Sequence, residues 1–261
     1  VKLRWPLAAV LAVGCAHAPT VAPPPIEIAP DELTVRGEVG DDADAVRDVA
    51  TAASAALPAL LRWGPLARPV TVVVLPSHVA LEQQVHRPGY RWLRAWARYD
   101  VVYLQSPRSW GMFQGTQPQL TEMLRHELTH CATFQAAGGP NDWTERHIPL
   151  WFREGMASWA AGQEGRRWSR QQLANALRER PKLEPLEEAE TIYRDQPELV
   201  YAAAHWAFVY LWQLSSEAKL RELLAAMKGG AAFPVAFHQT FTMSLADFER
   251  AFAADLSNLP R

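Results

Sequence analysis

The sequence predicts an α+β domain, a small N-terminal mixed sheet with helices followed by a mainly helical C-terminal half. Three observations carry this. A β-branched apolar run, Val70–Leu75, lies between Pro69 and Pro76, and residues 95–104 hold a second strand-like mixture of aromatic and branched side chains. After Leu104 the strand signals stop and helical periodicity takes over. Strands early and helices late is the order of an α+β fold. The chain has 261 residues, 49% of them hydrophobic and 21% charged, which suits one globular domain or one large domain plus a tail. No stretch approaches the roughly 18 apolar residues that a spanning helix needs. A net charge of -2 removes the sequence-wide electrostatic case for a nucleic-acid partner, and two cysteines cannot make a disulfide scaffold.

Residues 1–14 read as a targeting segment. Lys2 and Arg4 form a basic start and residues 7–13 an apolar stretch of signal-peptide length. The following Ala12-Val13-Gly14-Cys15 resembles the lipobox of bacterial lipoproteins, which implies that Cys15 is lipidated and becomes the mature N-terminus. Residues 15–39 then read as a lipidated N-terminus and tether. Pro19, Pro23, Pro24, Pro25 and Pro30 favour extended polyproline geometry there. The folded domain is expected over residues 40–261. Membrane attachment through the N-terminal lipid follows, and Ala16 rather than Asp after the cysteine favours the outer membrane of a bacterial envelope by the same resemblance.

Within the domain, Val46, Val49, Ala53, Leu57 and Leu60 recur at helical spacing over 41–63, with Gly64-Pro65 as the stop and Pro58 as an expected kink. Ser77 is placed to cap a short helix running to about His86. Asp100 marks a turn or bulge within 95–104. Helices are then expected at 117–137, 149–161, 169–180, 197–214, 216–228 and 244–256. Thr116 with Gln119, and Ser244 with Asp247, make capping-box patterns, and Gly138-Gly139-Pro140 makes a stop. Arg166, Arg167 and Arg170 read as a solvated face, and His78, His86 and His238 lack companions at ligand spacing.

The helix at 117–137 carries His126-Glu127-Leu128-Thr129-His130, an H-E-x-x-H motif. Residues four apart share one helix face, so both imidazoles are able to meet one metal ion, and zinc needs at least one ligand more. Glu127 lies beside that face, placed to take a proton from a water molecule that the ion acidifies. Leu120, Leu124, Leu128 and Cys131 form the opposite, apolar side, where Cys131 reads as a buried hydrophobe rather than a ligand. The metzincin extension fails, because Thr133 and Ala136 stand where that subclass needs Gly and His. A gluzincin needs instead a glutamate on a following helix. Glu154 stands 24 positions after His130, behind Pro149 and among Trp151, Phe152, Met156 and Trp159, where an unpaired carboxylate is costly.

With these residues in place, the chain resembles the peptidase-MA-like family of gluzincin zinc metallopeptidases over about residues 40–256. The resemblance rests on H-E-L-T-H at 126–130, on P-L-W-F-R-E-G-M-A at 149–157, and more loosely on the segments 201–211 and 236–252. It implies a thermolysin-like zincin fold, with His126, His130 and Glu154 as Zn2+ ligands and Glu127 as catalytic base. Thermolysin carries an aspartate four residues after its ligand glutamate; Ser158 stands there in this chain. An oxyanion also wants a donor. Tyr201 is the residue favoured, with His205, four residues on, and His147 as possible accessories, while packing alone is the competing reading of Tyr201. If 95–104 forms the edge strand beside the site, Trp96 and Tyr99 gain weight and a peptide or protein substrate is able to pair with it. The function expected is peptide-bond hydrolysis by a membrane-anchored envelope metallopeptidase. An endopeptidase is favoured, because no G-x-M-E-N-like segment for a substrate amine is visible. The alternative is a non-catalytic zinc-site lipoprotein acting as a scaffold or binding module, against which the intact Glu127 argues.

Overall fold

The computed structural model describes residues 21–39, 43–111 and 115–260. The signal segment and Cys15 lie outside the described residues. The fold is α+β. Its sheet contains β1 (Ile26–Ala29), β2 (Leu33–Gly37), β3 (Val70–Leu75), β4 (Ala95–Ala97) and β5 (Val101–Gln105), in the order β1-β2-β3-β5-β4. The three central strands, β2, β3 and β5, run parallel, and the two edge strands are antiparallel to their neighbours. Helices α1 (Ala43–Leu61), α2 (His78–Val85), α3 (Gln117–Ala137), α4 (Leu150–Ala160), α5 (Arg170–Arg178), α6 (Ala189–Ile192), α7 (Pro197–Leu214), α8 (Glu217–Lys228), α9 (Phe233–Phe241) and α10 (Leu245–Ser257) complete the described chain.

Two strands fall inside the segment read as tether. Ile26 pairs with Val35 and Leu33 with Ala29, so β1 and β2 form a hairpin that joins the sheet through the Leu33–Val70 register. Leu33 and Val35 are fully buried, and their burial outweighs the extended preference that the prolines impose. A second correction concerns 95–104. The chain reverses at Asp100, with the Arg98 N–H donating to Val101 O at 2.8 Å, and makes two short antiparallel strands instead of one. Helices α6 and α9 are additions to the expected set, and Pro149 is the N-cap of α4 rather than a residue of its first turn.

Alternation along β3 sorts the core. Val70, Val72 and Val74 join Leu33, Val35, Val102 and Leu104 in the main core with α1 and α3; Val73 and Leu75 face the other way, onto Leu81, Val85 and Leu93. Helix α3 is thus pressed on the sheet by Leu120, Leu124, Leu128 and Cys131, all fully buried as their spacing predicts. Gln135 secures its far end: its Oε1 accepts from the Ala67 and Arg68 N–H groups at 2.8 and 3.0 Å, and its Nε2 donates to Tyr99 O at 3.0 Å. At its start the Gln119 side chain accepts from the Thr116 N–H at 3.1 Å, the expected reach-back.

Helix α4 is held by aromatic packing and by one close approach. Trp151 stacks on Phe248 with ring centroids 5.1 Å apart, and Phe152 meets Phe233 at 4.9 Å. Gly155 lies against α7 so closely that a Cβ there would stand 2.2 Å from Ala204 O and 2.7 Å from Phe208 Cβ. That contact sets Glu154, the preceding residue, at a fixed height opposite α3.

Candidate metal centre

The two histidines of α3 and the glutamate of α4 converge. His126 Nε2 lies 3.2 Å from Glu154 Oε2 and 3.2 Å from His130 Nε2, and His130 Nε2 lies 3.6 Å from Glu154 Oε2. All three side chains are buried, and one donor atom from each lies within 4.8 Å of the others. Among the described residues they form the one group of three such side chains able to hold a metal ion. Burial pushes the Glu154 carboxyl up, but the charge of His130 and the closeness of both imidazoles outweigh it and hold the group well below the usual carboxylate range. His130 is backed by Phe134, stacked at 5.8 Å, which in turn stacks on Trp143 at 4.2 Å.

The ligand atoms open onto a cavity of about 820 Å³ whose wall includes Glu127, Tyr193, Tyr201, His147 and the β4 strand. Beyond His126, Glu127 and Tyr201 a second space of about 480 Å³ continues past Trp92, Trp110 and Arg167. Glu127 is half-buried at the junction of the two. Burial pushes its carboxyl up to about 7; His126 and a backbone hydrogen bond from Ala97 pull against that, while Glu154 adds to it. A carboxyl near neutrality is suited to taking a proton and giving it back.

Tyr201 lines both spaces. Its hydroxyl is 2.7 Å from the Tyr193 hydroxyl, its ring is 6.4 Å from His126 and edge-on to Trp92 at 6.0 Å, and the Arg167 guanidinium lies 4.5 Å above it. Burial and the nearby Glu154 raise its pKa, so the phenol keeps its proton. Tyr201 is therefore at the cavity, as expected. His147 also reaches the cavity wall, from a left-handed backbone position at φ 52°.

Three expectations are corrected. His205 does not join Tyr201 at the cavity; it is buried behind α4, with Nδ1 3.0 Å from Ser158 Oγ, and burial together with Arg167 pushes its pKa down to about 4. Tyr99 is buried on the far side of the hairpin and donates to Gly138 O at 3.2 Å, so of that pair only Trp96 lines the cavity. Arg167 is not part of a solvated face, since its guanidinium turns inward to Ser158 Oγ at 3.2 Å and Gln163 Oε1 at 2.5 Å. Sequence reasoning missed Gln163 and Tyr193 at the site. Neither has a spacing signal: His126 and Gln163 are 37 residues apart, and Tyr193 precedes α7 in a short connecting stretch.

Compared with protein-family models and with curated proteins, the chain matches none.

Proposed function

We propose that the protein is a zinc-dependent endopeptidase of gluzincin type, with a zincin-like fold, anchored in the bacterial cell envelope by a lipid on Cys15. The observation that carries this reading is the convergence of His126 Nε2, His130 Nε2 and Glu154 Oε2 at one end of a cavity that Glu127 also lines. Two imidazoles and a carboxylate are a donor set suited to catalytic zinc, which keeps a fourth position open. Zinc bound there supplies Lewis acidity to a scissile carbonyl and acidity to a water molecule.

The remaining work falls to the chain itself. Glu127 accepts the proton from that water and delivers it to the leaving nitrogen. Tyr201 keeps its proton and donates a hydrogen bond to the oxygen that gains charge, with Tyr193 holding the hydroxyl in place. Strand β4, an edge of the sheet at the cavity, offers backbone groups to an extended peptide. Space on both sides of His126 and Glu127 supports cleavage within a chain over removal of a terminal residue.

Metal analysis of three proteins tests the reading. Wild type and Glu127→Ala are expected to carry one zinc each and Glu154→Ala none, with peptide hydrolysis falling about 10²-fold or more in Glu127→Ala. Wild type devoid of zinc overturns the proposal, as does full hydrolysis by Glu127→Ala.

A further inference from the structure

A metal-binding imidazole must present its lone pair at one nitrogen and keep its proton on the other, and the group that receives that proton sets both tautomer and ring orientation. For His126 that group is Gln163. Gln163 Oε1 lies 3.1 Å from His126 Nδ1. The same oxygen lies 2.5 Å from Arg167 Nη2. A guanidinium only donates, so the atom facing Arg167 is the amide oxygen, and an oxygen only accepts. The proton between His126 and Gln163 therefore sits on Nδ1, which leaves Nε2, the atom facing Glu154 and His130, as a bare lone pair.

The support continues behind Gln163. Helix α4, which carries Glu154, ends at Ala160, the chain turns at Gly162 with φ 70°, and the Gln163 N–H then donates to Ser158 O at 3.0 Å. Residue 163 is thereby tied to the element that supplies the third ligand. Arg167 Nε donates to Ser158 Oγ at 3.2 Å, and the Ser158 hydroxyl also pairs with His205 Nδ1 at 3.0 Å. A chain of five groups, His126–Gln163–Arg167–Ser158–His205, thus runs from the metal centre to a buried, neutral histidine. Ser158 touches no ligand itself and acts through Arg167.

We propose that Gln163, oriented by Arg167 and Ser158, is the positioning residue that holds His126 in its metal-binding tautomer. The proposal rests on the metallopeptidase reading above. His130 makes a contrast, because its buried Nδ1 has no hydrogen-bond partner among the described residues.

The test uses full-length protein and zinc alone, with affinity measured by chelator competition. Gln163→Leu removes the acceptor and is expected to weaken zinc binding about 10- to 100-fold. Gln163→Glu keeps an acceptor for both Nδ1 and Arg167 and is expected to retain wild-type affinity. In metal-free protein, the imidazole ¹⁵N shifts of His126 are expected to report the Nδ1–H tautomer in wild type and Gln163→Glu, and a mixture in Gln163→Leu. Equal zinc affinity in wild type and Gln163→Leu, or an equal loss in Gln163→Glu, overturns the positioning role while leaving the zinc site standing. No zinc bound by wild type overturns the metallopeptidase reading and this inference with it.

Discussion

Tyr201 shows how much one residue's neighbours decide. On the sequence it is one aromatic among several in a helix that also holds Trp206, Phe208 and Tyr210. In the fold Phe208 is fully buried against α4, whereas Tyr201 turns its hydroxyl to Tyr193 and its ring to Arg167 at the cavity. A residue that served packing alone would lose stability on truncation of its hydroxyl and leave turnover intact. The expected result is the reverse. Tyr201→Phe lowers kcat roughly 10²-fold, the scale for a lost oxyanion donor, with zinc content unchanged. Tyr193→Phe lowers it less, because the Tyr201 hydroxyl remains. Steady-state kinetics on metal-loaded protein beside thermal melts separates the two roles, and unchanged kcat in Tyr201→Phe would assign the residue to packing.

At the scale of elements, the site is a matter of how α3 and α4 are set. Helix α3 is legible from its own residues, since the i, i+4 spacing of His126 and His130 and the apolar stripe opposite are local properties of one helix. The position of α4 is not local. It depends on Gly155 against Ala204 and Phe208 of α7, and on Trp151 and Phe152 among the phenylalanines of α9 and α10. Glu154 is legible as a candidate from its apolar flanks, but its 3.2 Å approach to His126 is produced by that packing. Gly155→Ala must part α4 from α7. It is expected to cost about 1–3 kcal/mol, the usual range for overpacking, and to weaken zinc binding by moving Glu154. Urea unfolding checks the first effect and chelator competition the second; a variant as stable as wild type would show that the helices have room to yield. The hairpin at 95–105 carries the same lesson. Asp100 is legible as a turn or bulge, and the pairing of Trp96 with Tyr103 shows that the chain reverses there into two antiparallel strands.

For the molecule as a whole, the folded region starts earlier than its composition suggests. The β1–β2 hairpin draws residues 26–37 into the sheet, so under the proposed anchoring a tether from Cys15 would have only residues 16–25 to use. In polyproline geometry ten residues span about 31 Å, which would hold the cavity close to the membrane surface. Replacing Cys15 with Ala is expected to move the protein from the membrane to the soluble fraction without change in zinc content. Unchanged fractionation would remove the lipid anchor from the proposal. Among the described residues no helix is long and apolar enough to cross a membrane.

The sequence by itself determined the class of the fold, most helix boundaries, and the three residues His126, Glu127 and His130 as a unit. These follow from periodicities and caps that act within a few residues of chain. It also singled out Glu154 by its surroundings, and Tyr201 by the resemblance of its helix. Only the tertiary structure decided that Glu154 meets the two imidazoles, that His205 faces Ser158, that Arg167 turns inward, and that Gln163 and Tyr193 belong to the site. Those contacts join residues 4 to 47 positions apart, and nothing in local spacing encodes which of many polar side chains packing will bring together. The charged and polar groups found there are the ones whose burial is tolerable because each finds a partner, and partners across that distance exist only once the helices have docked.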